Sequence, residues 1–338
     1  MVTIYDIAKA TGFSPPSVSK ALNGTGGLSA ESREIILKTA VEMGYTPNMT
    51  ARALSTSRSN LIGVIYEDYY MLMGFKHPLF SEILNSFRTV IENGGYDLLF
   101  LSRTLGERKM TYSDHCRFRN VDGVLILNPV PGDHEIFRLV DTGIPCVSAN
   151  EPIAGISTVI TENISGAKEG MDYLMRLGHR KIACISGPLL KTAPAAMERL
   201  IGYRESLAEN GIEYDENLVE ESRFWHAQAG YEAAVRLLSR TTGFTAIFAG
   251  NDTLANGIKL ALEDNGIYIP HDVSLIGFDG DDNGAFMTPA LTTMRQDSAL
   301  IGAKAAEILI RRLSGHLEVE TVRIPATLLE RGSCRPLL

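Results

Sequence analysis

From Leu61 onward short apolar runs alternate with amphipathic stretches, and this alternation constrains the fold more than any other feature of the chain. The runs at 61–66, 97–101, 124–127, 146–148, 159–160, 182–186, 246–249 and 274–278 have the length and apolar content of buried strands. Helical spacing between them predicts helices near 78–93, 165–177, 195–210, 228–240, 252–264 and 298–314. Strand and helix in turn imply an α/β fold with parallel sheets covered on both faces. So many strands exceed one small sheet of ordinary domain size. The expectation is two doubly wound lobes whose facing strand ends form a ligand cleft.

Residues 1–45 read as three short helices. Thr3, with Asp6 three positions on, makes a variant capping box ahead of Ile4, Ile7 and Ala8, and Gly12 suits the left-handed position that ends a helix. Ser14 caps a second helix with Pro15 at its first position and Val18, Ala21 and Leu22 on one apolar face, and Asn23-Gly24 stops it. Ser29 caps a third, with Ile35, Ile36, Ala40 and Met43 as its buried stripe before Gly44 and Pro47. A three-residue turn between the first two makes a helix-turn-helix, whose second helix can enter a DNA major groove with its first turn on base edges. The candidate readers are Pro15, Pro16, Ser17 and Lys20, with Ser14, Ser19 and Asn23 available to phosphates. The bland alternative is a small helical domain with no such partner. Residues 46–60 then turn polar around a helix-compatible piece at 50–54 and read as a linker.

The net charge of −8 argues on its face against a polyanionic partner. Residues 1–60, however, carry six basic and four acidic side chains, so head and linker together are +2 and the remainder −10. Cys116, Cys146, Cys184 and Cys334 show no paired spacing, which disfavours a zinc motif or a disulfide framework. With no apolar run of membrane-spanning length and no basic, apolar leader at Met1–Asp6, the expected location is the cytoplasm.

Several segments resemble the lactose-repressor (LacI/GalR) family in order and spacing. They include Thr3-Ile4-Tyr5-Asp6-Ile7-Ala8, Gly12-Phe13-Ser14, Ser17-Val18-Ser19-Lys20-Ala21-Leu22-Asn23-Gly24, Gly44-Tyr45-Thr46-Pro47-Asn48 and Ala51-Arg52-Ala53-Leu54. The resemblance continues through Ile62-Gly63-Val64-Ile65, Val121-Asp122-Gly123, Leu177-Gly178-His179-Arg180, Arg199-Leu200-Ile201-Gly202-Tyr203, Asn251-Asp252 and Pro289-Ala290-Leu291-Thr292-Thr293-Met294-Arg295-Gln296.

This resemblance implies a cytoplasmic transcriptional regulator, a repressor of carbohydrate-utilisation genes, that binds a pseudo-palindromic operator as a homodimer. Its core would look like a periplasmic sugar-binding protein and hold a small effector, a sugar or glycoside, between its lobes. The implied organisation is a head at 1–45, a linker with a hinge helix at 46–60, a first lobe at 61–161 plus 291–321, and a second at 162–290 plus 322–338. Thr3, Tyr5, Asn48, Ala51 and Arg52 join the DNA-facing set, and Leu54 matches the residue that wedges into the minor groove. Where relatives place polar or aromatic readers, this chain has Pro15 and Pro16, which leaves Lys20 to hydrogen-bond guanine or to contact a phosphate. For the effector, the matching positions are Arg199, Asn251 and Asp279, with Asn150 where some relatives have Asp, Trp225 where a ring lies against the ligand, and Phe80 closing the cleft. Polyols call for bidentate donors and acceptors, and an indole face packs on a pyranose. The bland alternatives are a surface Arg, a helix-capping Asn and a core Trp.

Asp279-Gly280-Asp281-Asp282-Asn283-Gly284 opens like a calcium loop, but its twelfth position is Ala290 rather than a bidentate Glu. No metal or cofactor is expected. There is also no nucleophile elbow, P-loop, dinucleotide fingerprint or zinc-protease motif, so an enzyme is not expected. Two other readings remain open: a non-catalytic sugar- or purine-binding protein with a secondary DNA role, and a cytoplasmic sugar-processing enzyme. Residues 331–338 are too few for a tetramerising coiled coil, which favours a dimer.

Overall fold

A computed structural model of the chain describes residues 2–24, 26–46, 58–191 and 194–337. It divides into two compact units, Met1–Ser59 and Asn60–Leu338.

The smaller unit holds helices α1 (Ile4–Thr11), α2 (Pro15–Leu22) and α3 (Ala30–Glu42). Thr3 and Asp6 cap α1 reciprocally: the Asp6 amide donates to Thr3 Oγ1 at 3.4 Å and the Thr3 amide donates to Asp6 Oδ2 at 2.8 Å. Gly12 (φ 72°) then turns the chain in the left-handed region, where a side chain would be strained. Ser14 Oγ accepts from the Ser17 amide at 3.3 Å, and Ser29 Oγ from the Ser32 amide at 3.2 Å. Ile7, Ala8, Val18, Ala21, Ile36 and Ala40 form the core. Ile35, expected in that stripe, is instead 45% exposed, because the one-sided stripe of α3 is narrower than its apolar content suggests. Residues 47–57, which include the piece of the linker expected as a hinge helix, lie outside the described residues.

The larger unit contains two six-stranded sheets. In chain order the first lobe supplies β1 (Leu61–Tyr66), α4 (Pro78–Asn93), β2 (Asp97–Phe100), a small hairpin of β3 (Thr104–Leu105) and β4 (Arg108–Lys109), and α5 (Tyr112–Arg119). It continues with β5 (Gly123–Leu127), α6 (His134–Asp141), β6 (Cys146–Ala149) and β7 (Ser157–Thr161). The second lobe follows with α7 (Asn163–Arg176), β8 (Ile182–Ser186), α8 (Ala195–Glu209), β9 (Val219–Glu221) and α9 (Ala227–Arg240). Then come β10 (Ala246–Ala249), α10 (Asp252–Asp264), β11 (Ser274–Asp279) and β12 (Thr292–Arg295). The chain ends with α11 (Ser298–Leu313), β13 (Thr321–Ile324) and β14 (Thr327–Leu329).

The first sheet runs β13-β7-β6-β5-β1-β2 and its pairings are all parallel. The second runs β14-β12-β11-β10-β8-β9, with only β14 antiparallel. Central strands buried on both faces explain the continuous apolar runs, such as Gly123–Leu127, which is buried throughout. Apolar residues of α4 and α11, including Phe87, Ile91, Ile301 and Leu309, cover one face of the first sheet. Tyr112, Cys116, Ile136 and Leu139 of α5 and α6 cover the other.

Strand pairing corrects the expected lobe boundaries. Thr292–Arg295 pairs with β11 (Ile276 opposite Thr292) and so belongs to the second sheet, not the first. Thr321–Ile324 pairs with β7 (Thr321 opposite Thr158) and so closes the first sheet. An apolar strand pattern states that a segment is buried, but not which of two similar sheets receives it. The chain therefore crosses between lobes after β7, between β12 and α11, and between β13 and β14.

Candidate functional site

In the head, α2 presents Pro16, Ser14 and Lys20 as exposed, with Pro15, Ser17, Ser19 and Asn23 half-buried. Several candidate phosphate ligands also have local duties: Ser14 Oγ lies 2.9 Å from Ser17 Oγ, and Asn23 Nδ2 donates to Ser19 Oγ at 3.2 Å. Thr3 caps α1, whereas Tyr5 is 69% exposed on that helix. Asn48, Ala51, Arg52 and Leu54 lie outside the described residues.

In the larger unit the candidate ligand residues gather at the carboxyl ends of the strands, where open α/β sheets bind ligands. Asp279 ends β11 with φ 124°, and Arg199 on α8 reaches it from the side, Nη1 to Oδ1 at 3.7 Å. The Arg199 guanidinium also donates from Nε to Asn163 Oδ1 at 2.9 Å and from Nη1 to the Gly250 carbonyl at 2.6 Å. Its plane lies over the Phe278 ring at 3.8 Å, with the Trp225 ring 5.7 Å away. Burial works against the guanidinium charge, and Asp279, Asp252, Glu198 and Glu151 offset it. Gly187 allows Trp225 this position: a Cβ there would come within 2.4 Å of the indole.

Asp279 is tied to the other lobe through Gln296, a residue of the crossover. Gln296 Nε2 donates to Asp279 Oδ1 at 2.6 Å, and Thr161 Oγ1 of the first lobe donates to Gln296 Oε1 at 2.5 Å. Beneath it, buried Asp252 accepts from Thr293 Oγ1 at 2.6 Å and from the Asp281 amide at 2.7 Å, fixing the loop after β11. Burial, and then the Asp279 charge, raise the Asp252 pKa well above its ordinary value.

The remaining candidates separate. Asn251 Oδ1 accepts from the Leu254 amide at 2.7 Å and so caps α10, while its Nδ2 donates to the Trp225 carbonyl at 3.5 Å. Phe80 is 1% exposed and packs in the first-lobe core against Tyr66 and His77. Asn150, at φ 72°, follows β6 and is half-buried. Between the lobes lies a cavity of about 510 Å³, lined by His77 and Glu82 from the first lobe and by Thr253, Asp279 and Asp281 from the second, with Gln296 at the crossover. At the edge of the interface, the Trp225 amide donates across the lobes to the Tyr70 carbonyl at 3.0 Å. His77, Asp68, Glu151 and Gln296 were not selected from the sequence, because each matters only through what the fold places beside it. Asp281 Oδ1 accepts from the Asn283 amide at 2.9 Å, and among the described residues no group of three or more His, Cys, Asp or Glu side chains is arranged to hold a metal ion.

Residues 3–48 match the family model described as "Bacterial regulatory proteins, lacI family", and residues 171–334 match "Periplasmic binding protein-like domain". The "HTH-type transcriptional regulator DegA" of Bacillus subtilis is 32% identical over 99% of this chain and 98% of that protein. The chain belongs to the LacI family. Its members are DNA-binding transcriptional regulators. Another relative is the "Ribose operon repressor" of Escherichia coli, 30% identical over 98% of this chain and all of that protein. Among solved LacI-family structures, the lac repressor dimer bound to operator and the anti-inducer ONPF superposes with a TM-score of 0.81 at 26% identity, covering 99% of each chain. The transcriptional regulator CelR–cellobiose complex superposes at 0.74 and 27% identity, covering 98% of this chain and all of that one. In this LacI-family chain no helix of the described residues is long and apolar enough to cross a membrane.

Proposed function

We propose that the chain is a homodimeric, cytoplasmic repressor of carbohydrate-utilisation genes that binds a pseudo-palindromic operator through α2 and a sugar or glycoside between its lobes. The observation that carries this reading is the coexistence of a capped helix-turn-helix head with a cluster at the strand ends, where buried Arg199 meets Asp279 of the interlobe cavity and the half-buried Trp225 ring lies beside them. Lys20 and the apolar faces of Pro15 and Pro16 read bases, Ser14, Ser19, Asn23 and Asn48 hold phosphates, and Leu54 wedges the minor groove. In the core, Asp279 and Arg199 hold ligand hydroxyls, Trp225 stacks on the ring, Asn150 adds an amide from the first lobe, and Asn251 and Phe80 support this wall. Ligand binding shifts the balance between lobe arrangements and so changes operator affinity, without turnover. A ribose operon repressor and a regulator solved with cellobiose, both similar to this chain, support the ligand class.

The test is a gel-shift titration on DNA from upstream of the chain's own gene and its neighbours, with and without ribose, cellobiose and related sugars. Specific retardation that changes at least severalfold with one sugar is expected. Retardation that no sugar alters would remove the effector role, and absence of specific retardation would remove the operator role.

A further inference from the structure

Arg199, the partner of Asp279, is itself held by a run of polar contacts that leads away from the cavity and ends on the other lobe. Its Nε donates to Asn163 Oδ1 at 2.9 Å, Asn163 Nδ2 donates to Glu198 Oε2 at 2.9 Å, and Arg323 Nη2 donates to Glu198 Oε1 at 3.0 Å. Asn163 and Glu198 stand on α7 and α8 of the second lobe, whereas Arg323 stands on β13, opposite Ile160 of β7, and is part of the first sheet. Asn163 is 5% exposed and the Glu198 side chain 13%, so water is poorly placed to replace a lost partner. The run also has a direction. Asn163 Nδ2 donates to the Thr161 carbonyl as well, at 3.2 Å, so two acceptors fix the NH2 side of the amide and leave its oxygen for the guanidinium. A flipped amide would set its oxygen against the Glu198 carboxylate and its NH2 against Arg199.

We propose that Glu198 and Arg323 are positioning residues for ligand binding: their ion pair braces the lobes in the arrangement where Asp279 lines the interlobe cavity, and through Asn163 it orients Arg199. The proposal rests on the ligand-binding reading above, and neither residue touches the ligand in it. Rotation of one lobe against the other would part β13 from α8 and break the pair, so the pair favours the arrangement that it spans. Without Arg323, Glu198 keeps its charge in a poorly hydrated place and loses its tie to the first lobe. Without Glu198, the Asn163 amide keeps one acceptor of two, and Arg199 loses the group that set its partner's orientation.

The experiment is a set of Trp225 fluorescence titrations with ribose and with cellobiose on the full-length wild type, Arg323→Met, Glu198→Ala, the double variant and Arg323→Lys. For a sugar that the wild type binds, Arg323→Met should weaken binding about fivefold, as expected for a partly exposed ion pair. Glu198→Ala should weaken it at least as much, since it releases both Arg323 and the Asn163 amide. The double variant should bind no more weakly than Glu198→Ala alone, because the second removal finds the interaction already gone. Arg323→Lys keeps the cation and should recover most of the affinity. A merely structural role would lower the melting temperature of the variants without this pattern of affinities. Wild-type affinity in Arg323→Met, losses that add in the double variant, or an Arg323→Lys protein no better than Arg323→Met would each overturn the proposal. A wild type that answers to neither sugar would instead overturn the sugar reading of the cleft, and this inference with it.

Discussion

Lys20 is the one charged side chain of α2, the helix proposed above to read operator DNA, and it is exposed. Lys20→Ala should weaken operator binding about tenfold or more, in line with the ~1–3 kcal/mol of a base contact. If Lys20 contacts a phosphate instead, the loss will be similar on every sequence and the salt dependence will become shallower. Filter-binding isotherms at several salt concentrations separate these outcomes, and unchanged isotherms would count against the assignment of α2. In the core, Arg199→Ala should destabilise the chain by about 3–5 kcal/mol in urea unfolding, because it strips buried Asp279 of its cation. Glu151 gives a pH signature. Burial pushes its pKa from an ordinary 4.5 to about 8, and its Oε2 has no partner among the described residues. Between those values the folded chain keeps a proton that the unfolded chain has lost, so this group's contribution to stability is full below about pH 4.5 and falls as pH rises toward 8. Glu151→Gln should flatten that decline in melting temperature from pH 5 to 8.5; a slope equal to the wild type's would contradict it. At this scale the sequence was most legible where the chemistry is local. The caps Thr3, Ser14 and Asn251 each bond within three residues of themselves, whereas Gln296 and His77 acquire their meaning from groups on the other lobe.

Elements that make a complete pattern of their own were read well: the helix expected at 252–264 is α10, and the strand at 182–186 is β8. Those that do not were missed. Helix α5 (Tyr112–Arg119) is dominated by polar residues and shows little amphipathic contrast, so it does not announce itself. Strands β9 and β14 are three residues each and are defined by their neighbours in the sheet. The contact between the turn after β8 and the Trp225 segment is a test at this scale. Gly187→Ala should push the indole out of its place against the backbone, shifting Trp225 emission and weakening ligand binding, since the added Cβ meets three ring atoms within 2.5 Å. Emission and affinity that both match the wild type would show that the ring has room elsewhere.

For the whole molecule, the division at Ser59 agrees with the change in charge, from +2 over head and linker to −10 over the body. A chain beginning at Asn60 should keep the ligand-induced thermal shift of the intact protein and lose operator binding entirely; retained operator binding would move DNA recognition out of the head. The two-sheet architecture was legible from alternation, but the lobe boundaries were not, because β12 and β13 are exchanged between sheets that share one grammar.

The last crossing has a consequence for synthesis. Helix α11 covers one face of the first sheet and β13 forms its edge, yet both follow every strand of the second sheet except β14. A ribosome that has released residues 61–161 has therefore made five of the six strands of the first sheet with one face covered by α4 alone, and the rest of the cover arrives only after five strands of the second sheet. The first lobe to begin is thus sealed only when the second is nearly complete, and arrested or truncated chains should be drawn to chaperones through the Phe87–Ile91 surface that α11 later buries.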